Sequence, residues 1–244
     1  MMMKKSILAL GIVGLTTLFS CSPVKKVLVS NTEQPVYEIA VRQVKDGKKA
    51  DFEAARTAFI EKLVVQNGVS NDREFNSFYS LPTPDKLETF IGMTQYQSFK
   101  TPKKVQSNMG VVSKFMKFKK TMDLKAYVFV QPIEGGDFNL ATLAKKQGQI
   151  LEIAVRRVKE GKDGEYQKMR KAFVDKLGKE DGVIQSWEFK VVGGNNTERL
   201  TVGMTVYENQ EKFQKIGQAT QTWAESAFFG TFEPVALQYS YSIK

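Results

Sequence analysis

Two pairs of ionisable residues attract attention because the second pair repeats the first. Glu38 and Arg42 lie four residues apart in the segment EIAVRQVKDGK, and Glu152 and Arg156 have the same spacing in EIAVRRVKEGK. Residues four apart on a β-strand project from the same face, where long side chains can bridge or pair across strands. Since a buried carboxylate needs a partner, each pair is a candidate either for a satisfied ion pair near the core or for a ligand-binding site.

Several aromatic residues with a polar atom are further candidates for a ligand site. Such side chains could surround an aromatic ligand and orient its hydroxyl group. At strand or helix spacing they could equally fill a hydrophobic core, so both roles stay open. The residues concerned are Tyr96, Trp187, Tyr207 and Trp223.

The chain lacks the residues on which much protein chemistry depends. It contains no histidine, and its one cysteine is Cys21. The usual general base, the usual haem ligand and the commonest metal ligand are therefore missing together. One cysteine cannot form an internal disulfide or a zinc cluster. We expect neither a bound metal nor a cofactor.

The N-terminal segment is typical of an exported protein. Lys4 and Lys5 precede a short apolar run that ends in LFSC, residues 18–21. A leucine three residues before a cysteine, with a small residue just before that cysteine, resembles a bacterial lipoprotein signal. The resemblance implies that Cys21 becomes the lipid-modified first residue, anchored to the periplasmic or surface side of the cell envelope. An ordinary secretory signal is the alternative.

The formal net charge is +10, and removing Lys4 and Lys5 leaves 10 − 2 = +8. In a cytosolic protein such a charge would suggest nucleic-acid binding, but an exported lipoprotein does not routinely meet nucleic acid. We therefore expect no nucleic-acid partner. The lysines, including the cluster KFMKFKK at 114–120, are interpreted as a solvated surface that could favour anionic lipid heads.

The repeated pairs belong to a duplication of the whole mature chain. Residues 37–69 match residues 151–183 at about half of the positions, and GMTQY at 92–96 later recurs as GMTVY at 203–207. A repeat of this length is a domain rather than a solenoid unit. The duplication divides the chain into a signal peptide (1–20), a tether (21–35), a first α+β barrel half (36–133), a linker (134–149) and a second half (150–244).

Each copy shows the pattern strand, helix, strand, strand, helix, strand. The first strand is rich in β-branched residues, and an aromatic stripe at helical spacing follows it. GGNNTE predicts the hairpin turn between the second and third strands of copy two. The last helix of copy two is predicted from the three- and four-residue spacing of Phe213, Ile216, Thr220, Trp223 and Ala227.

This order, with V-K-x-G-K closing the first strand, resembles the ferredoxin-like unit of the antibiotic-biosynthesis-monooxygenase family. The resemblance implies a dimeric α+β barrel, which here would be a pseudo-dimer: two units packed sheet against sheet within one chain. Enzymatic members oxidise aromatic compounds or haem with molecular oxygen. The asparagine, tryptophan and histidine of the haem-degrading branch are kept in neither copy; the asparagine position, for example, falls on Ala40 and Ala154.

The orientation of the first strand is left open. Hydrophobicity alone places Ile39 and Val41 under the helices, whereas the register of the family places Glu38, Ala40 and Arg42 there. Two functions remain. One is a lipid-anchored envelope protein that binds a small ligand or an envelope partner without catalysis. The alternative is a cofactor-independent monooxygenase acting on an aromatic or quinol-type substrate.

Overall fold

A computed structural model of the chain describes residues 33–82 and 86–243. The predicted signal peptide, Cys21 and most of the predicted tether lie outside the described residues. None of the helices in the described part of the chain is long and apolar enough to span a membrane.

The secondary structure alternates in the predicted order within each copy. The strands are β1 (Val36–Val44), β2 (Val69–Leu81), β3 (Thr89–Tyr96), β4 (Met122–Glu134), β5 (Ile150–Val158), β6 (Val183–Gly194), β7 (Leu200–Tyr207) and β8 (Phe232–Ser242). The α-helices are α1 (Lys49–Val64), α2 (Lys100–Gln106), α3 (Met109–Lys119), α4 (Asp163–Leu177) and α5 (Gln210–Thr220), and 3₁₀ segments cover Leu140–Thr142 and Ala224–Thr231.

The eight strands form one closed antiparallel barrel in the order β1-β3-β2-β8-β5-β7-β6-β4. Each copy contributes four adjacent strands, and the two copies join at the β2–β8 and β4–β6 pairs. Closure leaves neither sheet with an unpaired edge. The predicted α+β barrel fold is therefore confirmed.

The barrel interior is a hydrophobic core to which both copies contribute. Ile39, Val41, Ile153 and Val155 are fully buried in it. The placement of Ile39 and Val41 under the helices, based on hydrophobicity alone, is therefore wrong. In a closed barrel the interior excludes water from every side, and the most apolar face of the strand packs there. The register of the family gave the correct orientation.

The linker closes part of this core. Phe138, Leu140 and Leu143 pack against the interior cluster, and the hydroxyl of Tyr37 donates a hydrogen bond of 3.4 Å to the carbonyl of Phe138. The aromatic rings of Phe138 and Phe189 meet edge to face at 5.0 Å. The linker is thus a packed part of the barrel as well as a connection between copies.

The last helix of copy two is shorter than its hydrophobic spacing predicts. The helix α5 ends at Thr220, and Trp223 precedes a 3₁₀ segment instead of continuing the helix. The hydroxyls of Thr220, Thr222 and Ser226 donate to carbonyls at the end of α5. These side chains satisfy the carbonyl groups that a continued helix would have paired.

Candidate functional site

A buried carboxylate surrounded by phenols lies between the sheet and the helices in each copy. In copy two, the Tyr207 hydroxyl donates to Glu152 over 2.6 Å. In copy one, the Tyr96 and Tyr127 hydroxyls donate to Glu38 over 2.8 and 3.2 Å. The sequence predicted the carboxylates and the first tyrosine of each set, and the structure brings them together.

Burial dominates the electrostatics of these groups. Loss of solvent raises the pKa of Glu38 and of Glu152 above the ordinary value, although hydrogen bonds from the tyrosines and the nearby arginines oppose the shift. Loss of solvent and the neighbouring carboxylate raise the pKa of Tyr207 well above its ordinary value. The phenol therefore stays a hydrogen-bond donor, and the carboxylate is a stronger base than a solvated glutamate.

The arginines do not form the predicted pairs with the glutamates four residues before them. Arg42 instead binds Glu74 of β2 over 3.0 Å, and Arg156 binds the equivalent Glu188 of β6 over 2.7 Å. The reason is geometric: each arginine extends over a glycine of the intervening strand, Gly92 of β3 or Gly203 of β7, and so reaches the glutamate on the strand beyond it.

A helix residue completes each of these ion clusters. Arg56 of α1 contacts Glu74, and Arg170 of α4 contacts Glu188 over 3.9 Å and Glu134 over 2.8 Å. These clusters tie the helices to the sheet. Their role is structural, and they leave Glu38 and Glu152 with the tyrosines.

The helix side of copy two is more accessible than that of copy one. In copy two, Ala154, Thr201, Gly203 and Tyr239 all keep intermediate exposure. The residues at the equivalent positions of copy one are all buried: Ala40, Phe90, Gly92 and Phe129. Glu38 and Glu152 both keep intermediate exposure, so the copies differ in the residues around the glutamate. The surface around Glu152, Ala154 and Tyr239 is therefore partly open to solvent, and it is named the copy-two cleft.

Side-chain size explains this difference. In copy one, Phe90 stacks on Phe52 at 5.1 Å, and Phe118 packs on Phe52 at 5.0 Å. Copy two has the small Thr201 in the place of Phe90. This exchange lies beside Arg156; beside Glu152, copy two has Tyr239 where copy one has Phe129.

Copy one also contributes to the rim of the copy-two cleft. Tyr79, near the end of β2, lies 5.9 Å from Tyr239 between ring centroids, and Phe213 of α5 lies 4.7 Å from the same ring. Tyr79 is 46% exposed. At the other junction between the copies, the equivalent residue is Gly193, which lies against Phe99 and Phe129. The two junctions therefore differ in which copy supplies the ring: Tyr79 of the opposite copy beside Tyr239, and Phe99 of the same copy beside Phe129.

The two tryptophans predicted as ligand contacts lie away from this carboxylate. Trp187 packs against Phe138 beside the barrel core, and its indole donates to the carbonyl of Asp137 over 3.3 Å. Trp223 packs on Phe173 at the helix side, with the ammonium of Lys176 4.6 Å from its ring centroid.

Sequence reasoning missed Tyr127 and Tyr239 as neighbours of the glutamates. Their position beside the glutamates depends on the register between strands, which a single strand does not reveal. Within the described residues, no group of three or more histidine, cysteine, aspartate or glutamate side chains could hold a metal ion.

Comparisons with known proteins identify the fold. No protein-family model and no curated protein matches the chain. Among solved structures, an anthrone oxidase-like protein aligns with a TM-score of 0.63 at 8% identity, covering 88% of this chain and 94% of that one.

Two further structures align over a similar extent. A candidate monooxygenase from Fusobacterium nucleatum has a TM-score of 0.58 at 13% identity, with 86% and 93% of the two chains covered. A chlorite dismutase from Candidatus Nitrospira defluvii has a TM-score of 0.52 at 11% identity, with 86% and 91% covered. At these identities the likeness shows the fold alone, which is the dimeric α+β barrel.

Proposed function

We propose that the protein binds a small hydroxylated aromatic compound in the helix-side cleft of its second copy. The observation that carries the proposal is the deep, partly accessible carboxylate of Glu152 beside Tyr207 and Tyr239. A carboxylate in such surroundings accepts a hydrogen bond from a ligand hydroxyl more strongly than it would in water. The rings of Tyr239, Phe213 and Tyr79 provide faces on which a planar ligand can stack.

Copy one has a different role in this proposal. Beside Glu38, Phe129 takes the place of Tyr239 and packs on Tyr96 and Tyr127 at 6.2 and 5.3 Å. Glu38 is therefore satisfied by its own tyrosines and serves the packing. The chain thus supplies one binding cleft and one supporting half. The rim residue Tyr79 comes from the supporting half, so the cleft requires both copies.

The binding test uses 1,8-dihydroxyanthraquinone, a planar phenol that is stable in air. We expect calorimetric titration to show one site per chain. Glu152→Gln should weaken binding roughly tenfold or more, since a hydrogen bond to a charged group contributes about 1.5–3 kcal/mol. Glu38→Gln is the matched control and should leave the affinity unchanged. An equal loss of affinity in the two variants, or an unchanged affinity in Glu152→Gln, would refute the assignment of the cleft.

A cofactor-independent oxygenase is the second candidate, and the raised pKa of Glu152 favours it. The carboxylate could remove a proton from the methylene group of an anthrone, and the carbanion would then react with molecular oxygen. The resulting hydroperoxide loses water and leaves a carbonyl group, so both oxygen atoms are accounted for.

Oxygen uptake with 1,8-dihydroxyanthrone, corrected for its oxidation without protein, distinguishes the two functions. Catalysis predicts turnover that Glu152→Gln removes and Glu38→Gln preserves. If the quinone binds saturably but the protein causes no oxygen uptake, the protein binds the compound without catalysis.

The N-terminal sequence supports a location at the cell envelope for either function. Lipidation of Cys21 would hold the barrel at the membrane surface through the segment that precedes β1. Hydrophobic aromatic compounds partition into membranes, so a binding protein anchored there would meet them at raised concentration.

A further inference from the structure

The helices α2 and α3 of copy one form a surface whose charged side chains are all basic. The segment 99–120 contains both helices and has no aspartate or glutamate. Its seven lysines are Lys100, Lys103, Lys104, Lys114, Lys117, Lys119 and Lys120. All but Lys119 are exposed, and none of the seven pairs with a carboxylate in the part of the chain that the structure describes. This face therefore presents positive charge that its own segment does not balance.

The corresponding region of copy two is balanced in charge. Residues 210–231, which cover α5 and the 3₁₀ segment after it, contain two lysines and two glutamates, so the net charge is 2 − 2 = 0. Lys212 pairs with Asp181, and Glu225 pairs with Lys176 over 3.0 Å. Because the two copies share one fold, packing does not require the excess lysines of copy one. Their charge is available to an external partner.

Exposed apolar side chains lie among these lysines on the outer face of α3. This face is formed by residues at spacings of four, three and four, which are Met109, Ser113, Met116 and Lys120. Met109 is 77% exposed and Met116 is 40% exposed. Val111 and Phe118 are buried on the opposite face. A surface that combines methionine with lysine suits the head-group layer of a membrane, where ammonium groups meet lipid phosphates and apolar side chains enter the acyl boundary.

The start of α3 brings a further apolar side chain to this face. Asn108 caps α3, and its side chain donates to that of Gln66 over 2.9 Å. This hydrogen bond ties Met109 to the end of α1, where Val65 is 71% exposed. Met109 and Val65 have the largest exposed fractions among the large hydrophobic residues that the structure describes. Exposed apolar surface with a polar surround is typical of an interaction site.

We propose that the α2–α3 face of copy one binds the surface of an anionic lipid bilayer. Lysines close to such a surface are attracted to its acidic head groups, and the methionines add apolar contact. The predicted lipid on Cys21 would hold this face at a high local concentration near the bilayer, so a modest affinity suffices. The copy-two cleft lies under the helices of the other copy, so the contact leaves it uncovered.

Co-sedimentation with lipid vesicles tests the proposal on the full-length chain carrying Cys21→Ser, which cannot be lipidated. We expect stronger binding to vesicles that contain phosphatidylglycerol than to vesicles of phosphatidylcholine alone, and added salt should weaken it. The triple variant Lys114→Gln, Lys117→Gln and Lys120→Gln should bind the anionic vesicles about tenfold more weakly or less still. The apolar N-terminal run is present in every variant and contributes equally to each.

A second variant, Met109→Ser with Met116→Ser, tests the apolar part of the contact. It should bind the anionic vesicles more weakly than the unmodified face, and this loss should persist at raised salt concentration because no charge has changed. An unchanged affinity would overturn the role of the methionines in the contact.

The matched control for the lysines has the same net charge as the triple variant. It replaces three exposed lysines of copy two, Lys168→Gln, Lys179→Gln and Lys215→Gln, and should keep most of the affinity. Equal weakening in both triple variants, or equal binding to vesicles with and without phosphatidylglycerol, would overturn the proposal. Tighter binding to a DNA duplex than to the vesicles at one salt concentration would also overturn it, since the face would then be a nucleic-acid surface.

Discussion

Replacing Glu74 by glutamine tests how the ion clusters hold the helices on the barrel. The Glu74 side chain is 2% exposed and lies between Arg42 and Arg56, whose side chains are 5% and 6% exposed. Glutamine keeps the shape and one hydrogen-bond acceptor but removes the charge. Two guanidinium groups would then share a buried site without their carboxylate.

Breaking a buried pair by removing one partner destabilises a protein by about 3–5 kcal/mol. In a unit of this size, each kilocalorie shifts the melting temperature by about 2–4 °C. Glu74→Gln should therefore lower the melting temperature by about 6–20 °C. The equivalent change Glu188→Gln should cost less, because Arg170 keeps its two hydrogen bonds to Glu134, at 2.8 and 2.9 Å.

Differential scanning calorimetry of the two variants measures both the size and the order of these effects. Glu88→Gln is the control, since Glu88 pairs with Lys49 at an exposed position, where an ion pair contributes about 0–1 kcal/mol. The reasoning fails if Glu74→Gln melts within about 2 °C of the unmodified protein. It also fails if Glu188→Gln is the more damaging change.

Three further perturbations have defined outcomes. Because burial raises the pKa of Glu152, folding takes up protons, and stability falls as the pH rises from the ordinary pKa through the raised one. Glu152→Gln should therefore have a larger free energy of unfolding in urea than the unmodified protein at pH 8, and this difference should close at pH 4. A difference that does not change with pH would contradict this. Gly203→Ala places a methyl group on the guanidinium of Arg156 and should destabilise the fold by about 1–3 kcal/mol in the same urea titration. Gly217→Ala, in open space on α5, should instead stabilise the fold by up to about 1 kcal/mol. Cys21→Ser should remove the protein from the membrane fraction or block signal cleavage, and unchanged fractionation and processing would refute the lipoprotein prediction.

The duplication made the fold predictable from the sequence. Two copies of one strand–helix pattern, each with a sheet face to cover, require a partner surface, and the second copy supplies it. Hydrophobicity alone misplaced Ile39 and Val41, because it does not distinguish a barrel interior from a helix-covered face. Both environments exclude water, and only the neighbouring strands decide which one the charged residues occupy.

The site was predictable only in part for a related reason. Glu152 and Tyr207 could be named from their positions in the repeat, but the partner of Arg156 could not. Glu188 lies two strands away, across Gly203 of β7, and no spacing along one strand encodes that approach. The difference between the copies was equally hidden, since strand register alone places Tyr239 beside Glu152 and Phe129 beside Glu38.

The way the barrel closes has a consequence for how the chain folds. At the junction of β2 and β8, the Ser77 hydroxyl donates a hydrogen bond to the carbonyl of Tyr239, a residue 162 positions later. The barrel thus closes at this junction only after β8 has been synthesised. Until β8 pairs with it, β2 is an open edge of copy one, which can pair with another chain. Contacts between such distant residues form slowly, so we expect exchange of copies between chains to compete with correct folding at high rates of synthesis.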